Sequence, residues 1–480
     1  MTTYRVVRIA FFSLAIVHLF SMTVGNLSTA AGSAIPSSTP SHYAYLPGVS
    51  KTARPNFVII VSDDQRHDTL DFMPLTKARI FEQGVTFTNA YVTTPLCCPS
   101  RSSILTGMYA HHHNVYTNFA PLEKTTFVQR LHEAGYFTGI VGKYLNSWDG
   151  TARPEFDDWV VFAGRGSARR YFNPELNVNG TWIQHDGYMT HILQDYALNF
   201  LSTARQREAP FLLIFAPNAP HEPADPAPGD ENLYPGLPLH RPPSFMEEDI
   251  SDKPQWLQNQ PPADPAYIDV LRQKQLQSLH ALDLAINRLL DTLAEYGQDE
   301  NTVVMYISDN GVFWAEHRLN GKIYAYDEAS HVPFAIRYAP LIPQPRVESR
   351  LVANIDIAPT IYELAGLSVP ADVDGRSLLP LLAQREGEWR DSLLIEGLGY
   401  YPYMAIRTER YLYIETEGDV SELYDSANDP YQLQNQYTNP AYAPIVDESH
   451  RILLEFKSQA PQAPTWRILP FIFDALGLDD

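Results

Sequence analysis

Phe57-Val58-Ile59-Ile60-Val61 runs without interruption into Ser62-Asp63-Asp64. The run is short, apolar and rich in β-branched residues, which favours a strand over a helix. No polar residue alternates along it, so both of its faces must be covered, as in a parallel sheet flanked by helices. Two later stretches repeat the pattern. Phe211-Leu212-Leu213-Ile214-Phe215 leads into a Pro-rich loop that contains His221, and Thr302-Val303-Val304-Met305-Tyr306-Ile307 leads into Ser308-Asp309-Asn310-Gly311. Helical patterns alternate with these strands, so the sequence predicts an α/β fold with a largely parallel sheet. Open sheets of this kind bind their ligands just past the carboxyl ends of the strands. The polar residues of all three stretches stand there.

Outward from these strands, the longest helical pattern covers residues 267–296. Leu271, Leu276, Leu279, Leu282, Ile286 and Leu289 share one face of it. Before it, residues 217–265 are dense in Pro, Asp and Glu. A structureless run of that length is either a functional lid, the preferred reading, or a surface excursion. Beyond Leu378 the character changes. Leu393-Leu394-Ile395, Met404-Ala405-Ile406-Arg407 and Tyr411-Leu412-Tyr413-Ile414 are separated by turn residues such as Glu417-Gly418-Asp419, which predicts a small antiparallel sheet. The expected division is a large domain over residues 55–380 and a smaller sheet domain with a tail over residues 381–480.

A chain of 480 residues has room for such a pair. A hydrophobic share of 45% and a charged share of 19% are those of a globular protein, not a disordered one. The formal net charge of −21 opposes nucleic-acid binding, which runs on Lys and Arg against phosphate. An acidic substrate would need a local basic lining, for which Arg165, Arg169 and Arg170 are candidates beside the simpler reading of a solvated loop. Near the start, Arg5 and Arg8 precede an apolar run from Ile9 to Val24, and small residues follow at Thr29-Ala30-Ala31 and Gly32-Ser33-Ala34. This is the pattern of an export signal over residues 1–34, followed by a Ser-, Pro- and Thr-rich linker over residues 35–54. No integral membrane segment is expected once the signal is removed. Asn179-Gly180-Thr181 is a glycosylation acceptor in a eukaryotic secretory pathway.

The only cysteines, Cys97 and Cys98, are adjacent. Neighbouring Cα atoms lie about 3.8 Å apart, short of the usual bridge distance of about 5.5 Å. A chemical explanation fits the pair better than a disulfide. The surrounding stretch is Cys97-Cys98-Pro99-Ser100-Arg101-Ser102-Ser103-Ile104-Leu105-Thr106-Gly107. It resembles the signature of the type I sulfatases, Cys-x-Pro-Ser-Arg followed by a helix and Thr-Gly. In that family a separate formylglycine-generating enzyme oxidises the first cysteine to formylglycine, an aldehyde that is hydrated in the resting site. On this spacing the modified residue is Cys97. The chemistry is consistent with the replacement of a thiol. A thiosulfate offers no easy release of sulfate, whereas one oxygen of a geminal diol attacks sulfur and the other expels the sulfate again. A helix start supplies amide donors for anions, and Arg101 is placed to hold a developing alkoxide.

Asp63, Asp64, Asp309 and Asn310 form an all-oxygen set at two strand ends, which suits Ca²⁺ or Mg²⁺ rather than Zn²⁺. The resemblance implies that they bind one Ca²⁺ together with the modified Cys97. It also implies that Lys143 in Gly142-Lys143-Tyr144, His221 in Ala219-Pro220-His221-Glu222-Pro223, and Lys322 after Gly321 surround the sulfate, with a lysine or histidine protonating the leaving oxygen. Many arylsulfatases carry a histidine two residues after the first lysine, and here that place is Leu145. His317 and His111, His112 and His113 are further candidates for the rim or the core.

The resemblance covers residues 54–437 and implies an alkaline-phosphatase-like fold: a large mixed, mostly parallel sheet flanked by helices, with a smaller C-terminal antiparallel-sheet domain. The Leu96-Cys97-Cys98-Pro99-Ser100-Arg101 form, His111 to Asn114, Lys143-Tyr144-Leu145-Asn146 and Phe156-Asp157-Asp158-Trp159 are most similar to the N-acetylglucosamine-6-sulfatase branch. That branch implies a sulfated carbohydrate substrate, with aryl sulfate as the simpler alternative. Two rivals remain. One is a phosphate or phosphonate monoester hydrolase on the same scaffold. The other is a silent glycan-binding protein, if Cys97 stays a thiol.

Overall fold

The computed structural model describes residues 54–162, 169–397 and 402–459. The export signal, the linker apart from Arg54, and Arg165 lie outside the described residues. The strands β1 (Asn56–Ser62), β2 (Val85–Phe87), β3 (Phe137–Lys143), β4 (Asp158–Phe162), β5 (Glu175–Val178), β6 (Thr181–Gln184), β7 (Phe211–Ala216), β8 (Thr302–Ser308), β9 (Phe334–Arg337) and β10 (Arg346–Glu348) form one sheet. Its order is β10-β2-β9-β8-β1-β7-β3-β4-β5-β6. The centre, β8-β1-β7-β3-β4, is parallel. Antiparallel pairings enter towards the margins, at β9 and β5. The three apolar stretches of the sequence are β1, β7 and β8, side by side in the middle of the sheet.

The helices explain why β1 carries no polar alternation. Phe57, Ile59 and Val61 enter a core shared with Ile104 and Leu105 of α1 (Cys97–Thr106). Val58 and Ile60 enter the opposite core. There they meet Leu193 and Phe200 of α2 (Met189–Arg205) and Leu279, Leu282 and Ile286 of α3 (Pro265–Glu295). Each such side chain, fully buried, contributes roughly 1.5–3 kcal/mol, so both faces of β1 stabilise the sheet. In α3 the Asp264 carboxylate accepts from the Ala266 amide at 3.0 Å, and Pro265 fills the first turn. The predicted leucine face is buried throughout.

Beyond the sheet, β11 (Ser392–Gly397), β12 (Tyr403–Thr408), β13 (Tyr411–Thr416) and β14 (Glu422–Asp425) form an antiparallel meander. Gly418 turns the chain after β13 with φ of 78°. Leu453 and Phe456 of the last described helix, α4 (Ala443–Gln459), pack on this sheet in a third core. The described residues all lie in one compact unit, Lys51–Asp480. Among them no helix is long and apolar enough to cross a membrane.

Residues 217–265 contain little regular structure, yet they are tied down. The Met246 amide donates to the Ala315 carbonyl at 2.8 Å, and the His317 amide to Ser244 at 2.8 Å. Lys253 Nζ donates to the Leu433 carbonyl at 2.6 Å, and Asp419 accepts from the Gln255 and Trp256 amides at 2.9 Å each. Of the two sequence readings, surface excursion describes this segment better. It is a strap fastened to the hairpin Phe313–Trp314/Asn320–Gly321 and to the C-terminal sheet.

Candidate active site

The register of two central strands builds the acidic half of the site. Ser62 of β1 pairs with Ser308 of β8, so the residues that follow emerge together at the carboxyl edge. The Asp309 amide donates to the Ser62 carbonyl at 3.1 Å and the Asp64 amide to Asp309 Oδ1 at 3.1 Å. Asp64 adopts φ of 66°, a left-handed conformation that an aspartate tolerates when its surroundings hold it. Asp63, Asp64 and Asp309 each offer an oxygen within 4.8 Å of the others. Asn310 Nδ2 donates to Asp64 Oδ1 at 2.6 Å and to the Gly311 carbonyl at 2.9 Å. Its Oδ1 is buried with no hydrogen-bond partner among the described residues. A buried amide oxygen left over beside three carboxylates is what a hard cation takes. The donor set therefore fits a hard divalent cation, Ca²⁺ or Mg²⁺. Asp63, Cys97 and His221 also lie within 4.8 Å of one another, but that set is softer and shares Asp63 with the first. The all-oxygen group, with its spare amide oxygen, accounts for more of the site.

The basic half comes from four other segments. Lys143 ends β3, and its Nζ donates to Asp63 at 2.7 and 2.9 Å. Gly142 before it has φ of 119°, and a Cβ there would lie 2.0 Å from the Ala216 carbonyl oxygen, so only glycine lets β3 and β7 close up at this point. Lys322 Nζ donates to Asp64 at 2.7 and 2.8 Å and lies 3.2 Å from Cys97 Sγ. Arg101, on the helix that begins at Cys97, donates from Nε to Asp309 at 2.8 Å and from Nη1 to the Lys143 carbonyl at 3.0 Å. Its position ties the helix to both halves. His221 Nδ1 lies 2.7 Å from the Glu222 carbonyl oxygen. A carbonyl only accepts, so Nδ1 carries the hydrogen and Nε2 faces Asp64 at 3.7 Å.

Electrostatics follow from this burial. Desolvation raises the Asp63 carboxyl, but Lys143, His221 and Arg101 outweigh it and hold it below the usual range. Asp64 is lowered in the same way, against its burial, chiefly by Lys322 and His221. Burial pushes the Cys97 thiol up to about 12 in spite of both lysines, so the unmodified residue is a protonated thiol and a poor nucleophile. Three carboxylates face three permanent cations, Lys143, Lys322 and Arg101. The pocket is balanced before a metal or an anion enters.

Every residue read from the sequence as part of the site arrives in one place. The other candidates do not. Leu145 is buried in the core beside α1. Cys98 is packed there too, its amide donating to Asn118 Oδ1 at 3.0 Å and its sulfur accepting from the Asn146 amide at 3.2 Å. His111 pairs with Glu396 at 3.0 Å and His112 with Asp374 at 2.9 Å. His113 lies 3.1 Å from Ser103 Oγ on the far side of α1. His317 is buried against Glu247 at 2.6 Å and stacks on Tyr326. These four histidines hold the structure around the pocket. Arg169 does reach the rim, with Nη1 3.9 Å from Glu222 Oε1. Glu247 escaped the sequence reading because no motif marks a strap residue. Its only signal was the unusual length of its loop.

The profile of the sulfatase family matches residues 55–367. The chain belongs to the sulfatase family. A second profile, described as the C-terminal part of N-sulphoglucosamine sulphohydrolase, matches residues 315–459 of this sulfatase. The extracellular sulfatase SULF-1 homolog of Drosophila melanogaster is 36% identical over 377 residues, 73% of this chain and 34% of the relative. The chain thus spans about a third of that relative's length. Human N-acetylglucosamine-6-sulfatase is 32% identical over 72% of this chain and 68% of its own. A solved structure of a protein in complex with its substrate D-glucosamine-2-N,6-O-disulfate superposes with a TM-score of 0.76 at 26% identity, covering 85% of this chain and 98% of that one. These similarities also establish the large mixed sheet and the small C-terminal antiparallel sheet as the fold of the family.

Proposed function

We propose that this sulfatase hydrolyses sulfate esters of sugars resembling N-acetylglucosamine 6-sulfate, with aryl sulfates as simpler substrates. The observation that carries the reading is Cys97 at the junction of a buried acidic trio and a buried basic trio. Conversion of Cys97 to formylglycine by a formylglycine-generating enzyme would supply the oxygen nucleophile that a protonated thiol does not. Asp63, Asp64, Asp309 and Asn310, with the modified Cys97, would hold one Ca²⁺, which when bound supplies positive charge beside a sulfate oxygen. The charge balance supports this assignment. With a dication in place, the pocket carries excess positive charge, part of which the single negative charge of a sulfate monoester offsets.

The chain's own residues then divide the work. Lys143 and Lys322 exchange part of their pairing with Asp63 and Asp64 for the sulfate oxygens. Arg101 keeps the helix start aligned with Asp309 and steadies negative charge near residue 97. His221 delivers a proton to the leaving oxygen from Nε2 once that nitrogen is protonated as well as Nδ1, its ring fixed by the Glu222 carbonyl, and the Lys322 ammonium is the alternative donor. The names of the relatives support a sulfated-sugar substrate. The signal-like residues 1–34 support export to a secreted, periplasmic or lysosome-like compartment. We place the boundary between the catalytic and C-terminal domains near residue 380.

Peptide mass spectrometry of protein made in the native host tests the proposal, since formylglycine lowers the mass of the Cys97 peptide. An unmodified thiol there would leave a silent glycan-binding protein. Paired assays on aryl sulfate and aryl phosphate decide between a sulfatase and a phosphate or phosphonate ester hydrolase on this scaffold.

A further inference from the structure

Beside the buried pocket, two exposed polar side chains from separate segments converge on one partly buried carboxylate. Glu222 directly follows His221, and its backbone carbonyl fixes that ring. Its side chain, 34% exposed, turns outward. The Tyr267 hydroxyl, from the first turn of α3, donates to Glu222 Oε1. Arg169, 41% exposed, brings Nη1 to 3.9 Å from the same oxygen. It follows β4, whose last residue Phe162 pairs with Lys143. Tyr171, two residues on, donates from its hydroxyl to the His221 carbonyl at 2.7 Å. The cluster is therefore anchored to the His221 side of the pocket by the adjacency of Glu222 and by the Tyr171 hydroxyl on the His221 carbonyl.

Exposed ion pairs of this kind contribute little to stability, so the fold gives weak reason to gather them. A ligand gives a stronger one. If His221 delivers the proton to the leaving oxygen, the alcohol that departs must lie on this side, and its body rests against Glu222, Tyr267 and Arg169. We infer that Glu222, oriented by Tyr267 and flanked by Arg169, is a specificity-determining residue that accepts hydrogen bonds from hydroxyl or amino groups of the sugar carrying the ester. An aryl alcohol has no such donors. A site built to pair with them discriminates strongly against analogues that lack them. The inference rests on the sulfatase reading above and deepens it.

The test compares glucosamine 6-sulfate, N-acetylglucosamine 6-sulfate and 4-nitrophenyl sulfate as substrates of the modified, calcium-loaded full chain. Glu222→Gln keeps the size of the side chain and removes its charge. The ratio of kcat/KM for either sugar sulfate to that for the aryl sulfate is expected to fall at least tenfold in Glu222→Gln, and by a smaller factor in Tyr267→Phe. A larger loss for the free amine than for the acetylated sugar marks the amino group as the donor read. An unchanged ratio, with both substrates falling together or neither falling, overturns the inference. Absence of turnover by the unsubstituted protein on all three substrates overturns the sulfatase reading instead. Thermal midpoints of the variants separate misfolding from either result.

Discussion

Lys322 Nζ stands 3.2 Å from Cys97 Sγ while donating to both oxygens of Asp64 at 2.7 and 2.8 Å. One ammonium group thus touches the residue proposed to carry the nucleophile and one of the proposed metal ligands. Burial disfavours its charge, but Asp64 and the neighbouring acids raise its pKa well above the ordinary value, so it is a cation throughout the working pH range. Lys322→Met should lower kcat/KM on any sulfate ester by about 10²–10³-fold, the usual cost of losing one donor to a developing anion. Lys322→Arg should recover only part of it, because a planar fork does not reproduce three tetrahedral donors. Steady-state kinetics on 4-nitrophenyl sulfate measures both.

Cys97 and Cys98 should part company on mutation. Cys97→Ala is expected to remove turnover by on the order of 10⁴-fold or more, as when a nucleophile is deleted elsewhere, with an unchanged circular-dichroism spectrum. Cys98→Ala touches only the core beside α1 and should retain activity with a stability loss of about 1 kcal/mol. Equal loss from both would place the reactive residue wrongly.

Calcium should stabilise the folded chain as well as activate it. At a hundredfold excess over Kd, one bound ion contributes about 2.7 kcal/mol. Chelation is expected to lower the thermal midpoint and calcium to restore it. Asn310→Ala should shrink that shift by withdrawing the spare buried oxygen. A midpoint indifferent to chelation in the unsubstituted protein would remove Asp63, Asp64, Asp309 and Asn310 as ligands.

Two neighbouring histidines should give opposite pH signatures. Burial, with His111, Lys124 and His112 nearby, holds His113 down to about 3. Its Nδ1 accepts from the Val115 amide at 3.0 Å, which fixes the neutral ring. The unfolded chain binds that proton at about 6.5, so the contribution of His113 is present above this value and drains away as pH falls towards 3. His112 is raised, first by its hydrogen bond to Asp374 and against partial burial. Its contribution is complete below about 6.5 and is lost as pH rises through the raised value. Midpoint-versus-pH curves should flatten on the acid side in His113→Gln and on the neutral side in His112→Gln.

Much of this site was legible before any coordinates. Continuous apolar strands announce their position in the middle of a sheet, and polar residues at their ends announce a ligand edge, because both follow from local pattern. Cys97 and Arg101 are legible through the spacing of Cys-x-Pro-Ser-Arg, and Lys143, His221 and Lys322 through short elements that resemble the same family's. Short strands such as β2, β5 and β10 were not found, since a few residues pairing at a sheet margin leave no period to read. The histidines were ambiguous for a related reason. Whether His113 or His317 sits at a rim or in a core depends on Ser103 or Glu247, and their packing is decided by tertiary contacts. The strap over residues 217–265 was visible as an anomaly of length, but its anchoring to Ala315 and Leu433 was not.

That anchoring gives a further expectation. Glu247 accepts from His317 at 2.6 Å and receives Lys253 at 3.3 Å, and the hairpin so held leads directly to Lys322. Glu247→Ala should cost about 3–5 kcal/mol, the usual penalty for breaking a buried pair. It should also lower kcat more than it raises KM, as Lys322 loses its fixed approach. A stability loss with kinetics unaltered would reduce Glu247 to a purely structural part.

The Ser62–Ser308 register has a consequence for biosynthesis. Asp64 and Asp309 are 245 positions apart in the chain, yet neither has its site partner until both strands have docked. A ribosome that has delivered the first half of the polypeptide has made Asp63, Asp64 and Cys97 but neither Asp309 nor the wall that encloses them. Premature termination before β8 would therefore yield a product with an open, half-built cavity, whatever the quality of its remaining helices.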